Sequence, residues 1–285
     1  MSTPPFLALP GCARALRLAT ARGEFAALLA EPAGPVRGTA LLVPGFTGSK
    51  EDFIALLEPL AAAGYRVAAV DQRGQYETGG PADPEAYRIG ELALDVRALS
   101  AVLADRGPLH LLGHSFGGQV VREAALDVRG PLPWRSLTLL STGPGAIDPA
   151  EAARTKLLLD ALPAMDLEAI WQVMKQMEEG SGAGPAPLPE IAEFLHRRWV
   201  ANVPQALTAM GEHLVAAPDR VAELAAVRLP VQVVSGVRDY AWPVEEQAAM
   251  ARRLDAPYTA VPDAGHSPNA EQPAATAAAL AAFWA

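Results

Sequence analysis

Short apolar runs alternate along this chain with longer stretches in which apolar residues recur every three or four positions. Thr39–Val43, Leu109–His114, Ser136–Ser141 and Val231–Ser235 read as buried strands, Arg66–Asp71 as a further strand and Tyr258–Val261 as a short one. Lys50–Ala63 carries Phe53, Leu56, Leu57 and Leu60 on one helical face, and Pro84–Asp105 carries Leu92, Val96, Leu99 and Leu103. Further helices are expected over Val244–Leu254 and Pro273–Trp284. At the start, Ala15–Ala30 alternates around Arg22-Gly23 and predicts a hairpin. Strands separated by helices imply an α/β fold with a mostly parallel, doubly wound sheet covered on both faces.

One block breaks the rhythm. From Gly143 to Val227 only helical or loop patterns occur: Glu151–Leu162, Leu167–Glu178, Glu190–Val200, Pro204–Leu214 and Val221–Ala226, interrupted by Gly180-Ser181-Gly182-Ala183-Gly184-Pro185. A helical block between two buried strands reads as an insertion. The expected organisation is a core in two parts, 1–142 and 228–285, with a helical cap over 143–227. Within the cap, Leu157, Leu158, Leu162, Met165, Trp171, Met174, Met177, Phe194, Leu195 and Trp199 are expected mostly as core between cap and sheet. A minority facing a cleft would favour an apolar substrate.

The strand Leu109–His114 runs into Gly113-His114-Ser115-Phe116-Gly117-Gly118 and then a helix-compatible stretch. A serine on a sharp strand-to-helix turn needs almost no side chain two positions before and after it, because strand and helix come close there. Gly113 and Gly117 meet that need, and Ser115 is the candidate nucleophile. Serine is also a good helix N-cap, so the chemical reading requires a base and an acid further on.

Both are present. In open α/β sheets the site lies at the carboxyl ends of the strands, and two later strands end in suitable loops. Asp239 follows Val231–Ser235, and His266 follows Tyr258–Val261 in Asp263-Ala264-Gly265-His266. Of the five histidines, His110 lies inside a strand and should be packed or at an edge. His114 should point away from the Ser115 side chain, and His196 and His213 read as core or solvated residues of the insertion. His266 is the candidate base, Asp239 the first choice for its orienting carboxylate and Asp263 the second. An imidazole can take the serine proton when a carboxylate fixes its tautomer and stabilises its cation.

Composition narrows the partners. The 285 residues suffice for one well-buried domain with a sizeable insertion, and a net charge of -9 argues against nucleic acid or an anionic membrane surface. Cys12 is the only cysteine, which excludes an internal disulfide and a cysteine-based metal site. The apolar run Phe6–Leu9 is broken by Pro10 and lacks preceding positive charge, so neither a secretory leader nor a membrane span is expected there. A cytoplasmic protein acting on a small molecule is the expectation.

Together, Val43–Ser49, Asp71–Gly74, Gly113–Gly118, Gly236–Asp239 and Gly265–Pro273 resemble the α/β-hydrolase superfamily over almost the whole chain. The resemblance implies an oxyanion hole from the backbone N–H groups of Phe46 and Phe116. It also implies that Ser115, Asp239 and His266 need no metal or organic cofactor. Two segments depart from the pattern: Pro44-Gly45 stands where many relatives have His-Gly, and Gln75-Tyr76-Glu77-Thr78 where they often continue Gly-x-Ser. A serine in place of aspartate argues against the dehalogenase and epoxide-hydrolase branches.

The expected reaction is hydrolysis of a carboxylic ester of a small or medium, largely apolar substrate through an acyl-enzyme on Ser115. Carbon–carbon bond cleavage or thioester hydrolysis would use the same residues. A ligand receptor on the same scaffold is the non-enzymatic alternative.

Overall fold

The computed structural model describes residues 1–127, 132–180 and 187–285. Its centre is an eight-stranded sheet in the order β1-β2-β4-β3-β5-β6-β7-β8. These strands are β1 (Ala13–Thr20), β2 (Gly23–Ala30), β3 (Gly38–Val43), β4 (Tyr65–Val70), β5 (Leu109–His114), β6 (Trp134–Leu140), β7 (Val231–Gly236) and β8 (Tyr258–Val261). β3 to β8 run parallel, whereas β2 pairs antiparallel with both β1 and β4. The hairpin register pairs Thr20 with Gly23, so the two-residue turn is Ala21-Arg22, one position earlier than the pattern suggested.

The period of two along each strand divides the core. Leu41 and Val43 of β3 face one side with Leu111, Leu137, Leu139 and Val233, and α2 (Ile89–Leu103), α3 (Phe116–Leu126) and α9 (Val244–Arg253) cover them through Val96, Val120 and Met250. Ala40 and Leu42 face the other side with Leu112, Leu140 and Val234, beneath α1 (Ile54–Ala62) and α11 (Pro273–Trp284). All of these side chains are buried. Burial on both faces explains why the parallel strands read as continuous apolar runs.

Two helices differ from the sequence reading. Lys50–Phe53 is a 3-10 turn before α1, and the helix expected over Pro84–Asp105 is broken at Arg88, which is extended at φ -57°, ψ 147°. The buried Tyr87 donates its hydroxyl to Pro81 O at 2.6 Å and holds a separate turn over Pro84–Tyr87. A short helix, α10 (Pro268–Glu271), also precedes α11.

Between β6 and β7 lie α4 (Pro149–Ala161), α5 (Leu167–Gly180), α6 (Pro189–Val200), α7 (Pro204–Ala216) and α8 (Val221–Ala225). The Gly/Ser break expected between α5 and α6 lies, from Ser181 to Pro185, outside the described residues. Leu162, Trp171, Phe194, Leu195 and Trp199 join Leu167, Ile170, Ile191 and Leu207 in a cluster of their own rather than a layer against the sheet. The sheet-side contacts come from α7 and α8, through Ala206, Met210, Leu214, Val221 and Leu224. Leu157, Met165 and Met177 are exposed.

From β3 the chain passes to β4 on one side and then crosses to β5 on the other. The crevice at the carboxyl ends of β3 and β5 is therefore the switch point of the sheet.

Candidate active site

Ser115 sits at that switch point, between β5 and α3. Its backbone takes φ 55°, ψ -123°, a left-handed region that costs a non-glycine residue on the order of 1–3 kcal/mol. The local packing enforces it: a Cβ at Gly113 would overlap the Gly117 carbonyl, and one at Gly117 would overlap the carbonyls of Val43 and Pro44. Ser115 N–H donates to Leu140 O at 2.9 Å and ties the turn to β6.

The loops after β7 and β8 converge on this serine. Gly236 lies against the Gly265 carbonyl with no space for a Cβ, and Arg238 N–H donates to Ala264 O at 3.0 Å. This places His266 Nε2 2.9 Å from Ser115 Oγ and His266 Nδ1 2.8 Å from Asp239 Oδ1. The Asp239 carboxylate is completely buried, and His266 is 12% exposed. Burial alone would raise the Asp239 pKa. The hydrogen bond and charge of His266, with the N–H of Ala241 and the Gln247 amide, outweigh it and hold Asp239 below the ordinary carboxylate value. Ala241 N–H reaches Oδ1 at 2.9 Å and Gln247 Nε2 reaches Oδ2 at 2.8 Å. Asp263, the second choice from sequence, is exposed and lies outside this chain of hydrogen bonds, and its carbonyl accepts from Arg238 Nη2 at 2.9 Å.

The chemistry this arrangement permits is proton transfer from Ser115 to His266 while Asp239 fixes the tautomer. Among the described residues, the N–H groups of Phe46 and Phe116 donate to no other protein group. Phe46 shares with Ser115, His114 and His266 the wall of a cavity of about 160 Å³, whose other lining includes Ile147, Thr155 and Leu214. The cavity also touches Met1 and Ser2, and Ser2 O accepts from the buried Arg198 Nη2 at 2.7 Å.

None of the ten apolar insertion residues singled out from sequence lines the cavity. The insertion contributes Ile147, Glu151, Thr155 and Leu214 instead, because Trp171, Phe194, Leu195 and Trp199 are used in the cluster that packs α5 and α6 on each other.

Two supporting residues lie in segments that carry the family resemblance, but nothing in the sequence assigned them these contacts. His114 Nε2 lies 2.8 Å from His266 O, and Glu271 accepts the N–H groups of Gly265 and Ser267 at 2.5 and 2.9 Å, one on each side of His266. The acceptor is a carbonyl, so His114 carries its proton on Nε2. Burial, and then the His266 charge, push its pKa down to about 3. His110 is packed as expected, stacked on Trp284 and bonded to Ser136 Oγ at 2.8 Å. His196 is half-buried beside Glu168, and His213 is half-buried against Phe116.

A family model described as alpha/beta hydrolase family matches residues 40–279. The chain belongs to the alpha/beta hydrolase family. Among curated relatives, the monoacylglycerol lipase of Mycolicibacterium smegmatis is 26% identical over 224 residues, 76% of each chain. The RutD protein of Variovorax paradoxus is 40% identical over 96 residues, 33% of this hydrolase and only 35% of that protein. Among solved structures, an esterase from Thermogutta terrifontis superposes with a TM-score of 0.73 at 24% identity, covering 95% of this chain and 98% of that one. That likeness is one of fold.

Proposed function

We propose that this hydrolase cleaves a carboxylic ester of a small or medium, largely apolar substrate through an acyl-enzyme on Ser115. The observation that carries the reading is the unbroken chain Ser115 Oγ, His266, Asp239, with contacts of 2.9 and 2.8 Å, on a strained turn beside two unengaged N–H groups.

In this mechanism Ser115 Oγ attacks the ester carbonyl as His266 Nε2 takes its proton. The N–H groups of Phe46 and Phe116 hold the oxygen that becomes negative. His266 returns the proton to the leaving alcohol, and then activates water to release the acid from Ser115. Asp239 stays ionised and steadies the imidazolium. The family resemblance to a monoacylglycerol lipase favours an ester bond. Residues 143–227 act as a cap between core segments 1–142 and 228–285, and Phe46, Ile147, Leu214 and Ala241 supply the apolar wall.

The test is hydrolysis of a chain-length series of nitrophenyl esters by wild type and Ser115→Ala. Turnover that disappears in the variant supports the reading, and the preferred length measures the acyl pocket. Equal turnover by Ser115→Ala would overturn it.

A further inference from the structure

We propose that Gln75, assisted by Gln72, is the positioning residue of the oxyanion site, its side-chain amide fixing the Gly45–Phe46 peptide so that the Phe46 N–H faces Ser115. The inference rests on the serine-hydrolase reading above.

The loop after β3 has little means of holding itself. Pro44 has no N–H and Gly45 no side chain, and Gly45 lies so close to the serine that a Cβ there would stand 2.9 Å from Ser115 Cβ. Support comes from the loop after β4. Gln75 Nε2 donates to Gly45 O at 2.8 Å, and Gln72 Nε2 donates to Pro44 O at 2.8 Å. Both glutamines are buried. Gly45 O also accepts from Gly48 N–H at 3.1 Å, so both of its lone pairs are engaged.

A trans peptide points its C=O and its N–H in opposite directions. Pinning the Gly45 oxygen on Gln75 therefore turns the Phe46 N–H to the other side, towards the cavity that Phe46 shares with Ser115. The orientation of the Gln75 amide is itself determined, because its Oε1 accepts the backbone N–H of Gln72 at 3.2 Å and leaves Nε2 as the donor. The far end of the loop is tied to the same segment: Lys50 N–H and Nζ donate to the buried Asp71 at 2.7 and 3.1 Å. Residues 71–78 thus form a cradle for residues 44–50. Gln75 opens the Gln75–Thr78 stretch in which this chain departs from the family pattern, and the loop it supports is the one with Pro44 in place of histidine.

Gln75→Glu is the informative variant. It keeps the shape and an acceptor for Gln72 N–H, but sets an oxygen against the Gly45 carbonyl in place of the donor. Gln75→Met serves if that variant does not fold. The readouts are kcat and KM for a nitrophenyl ester, and inhibition by an alkylboronic acid, whose tetrahedral adduct on Ser115 places an oxygen where the oxyanion forms. Losing one oxyanion donor outright costs about 100-fold to 1,000-fold in kcat. Loosening its support is expected to cost about 10-fold to 100-fold in kcat and equally in boronate affinity, with KM changed by less than about threefold. A folded variant that matches wild type in kcat and boronate affinity overturns the inference. Wild-type turnover that survives in Ser115→Ala would instead remove the serine-hydrolase reading, and this inference with it.

Discussion

His114 donates its Nε2–H to the main-chain carbonyl of His266 at 2.8 Å, so the residue preceding the proposed nucleophile props the backbone of the proposed base. The two rings lie 5.1 Å apart. His114→Phe keeps a ring in the space and takes the donor away from a partly buried hydrogen bond, at a cost of about 1 kcal/mol. The expected result is a lower denaturant midpoint together with a fall in kcat larger than any change in KM. A variant with wild-type kcat would show that the His266 backbone holds its place without this bond.

Ser115→Ala and His266→Ala are each expected to lower turnover by about three orders of magnitude or more while leaving the circular dichroism spectrum unchanged. Asp239→Asn should be similarly severe, because it replaces the charged acceptor of His266 Nδ1–H with a neutral amide that neither fixes the tautomer nor steadies the imidazolium. Asp263→Asn should stay within a few-fold of wild type, since its side chain is exposed. Steady-state kinetics on one ester ranks all four, and a severe Asp263→Asn beside a mild Asp239→Asn would exchange their roles.

Arg198 and Asp52 form a fully buried ion pair at 2.6 Å, joining α6 to the turn before α1. Removing the cation alone strands a carboxylate, so Arg198→Met is expected to destabilise by about 3–5 kcal/mol, and Arg198→Met combined with Asp52→Leu by less. Arg198 also holds Ser2 O, and Met1 and Ser2 line the cavity. The single variant should therefore also shift the preferred ester length upward. Urea unfolding and the chain-length profile check the two effects separately.

Burial lowers the pKa of His110 to about 4 and of His114 to about 3, both from an ordinary value of 6.5. A smaller repulsion from Arg135 adds to the first and from His266 to the second. The unfolded chain therefore takes up protons that the folded one refuses. The stability these groups contribute is complete above about pH 6.5 and is lost as pH falls towards 4, by about 1.4 kcal/mol per pH unit for each. The buried Asp71, whose pKa is pushed up to about 7 chiefly by burial, contributes a slope of opposite sign over the same range, so the measurement is a comparison: the urea midpoint of His110→Phe should fall less from pH 7 to pH 4.5 than that of wild type. Equal slopes in the two proteins would contradict the assignment.

The three proposed chemical groups were legible because each sits in a loop directly after a strand of the sheet, and strand ends can be read from local apolar runs. The Gly113-x-Ser115-x-Gly117 spacing was legible for a steric reason that acts within five residues. Gln75, Gln247 and Glu271 were not. Each acts on an atom outside its own strand or helix, such as the Gly45 carbonyl, the Asp239 carboxylate or the Gly265 N–H, and no periodicity reports which main-chain atom lies opposite.

The break at Arg88 and the separate core of α5 and α6 belong to the same class. Apolar residues at helical spacing reveal that a face is buried, not what buries it, so Trp171, Phe194 and Trp199 could be identified as core while their partners could not. By itself the sequence determined the α/β alternation, the inserted helical block and the elbow at Ser115, because these follow from backbone sterics and burial within single elements. Only the tertiary structure decided that His266 reaches Ser115, that the insertion lines the cavity through Ile147 and Leu214, and that residues 71–78 cradle the loop at Phe46. Those are contacts between segments far apart in the chain, and they exist only once the sheet has brought the strand ends to one edge.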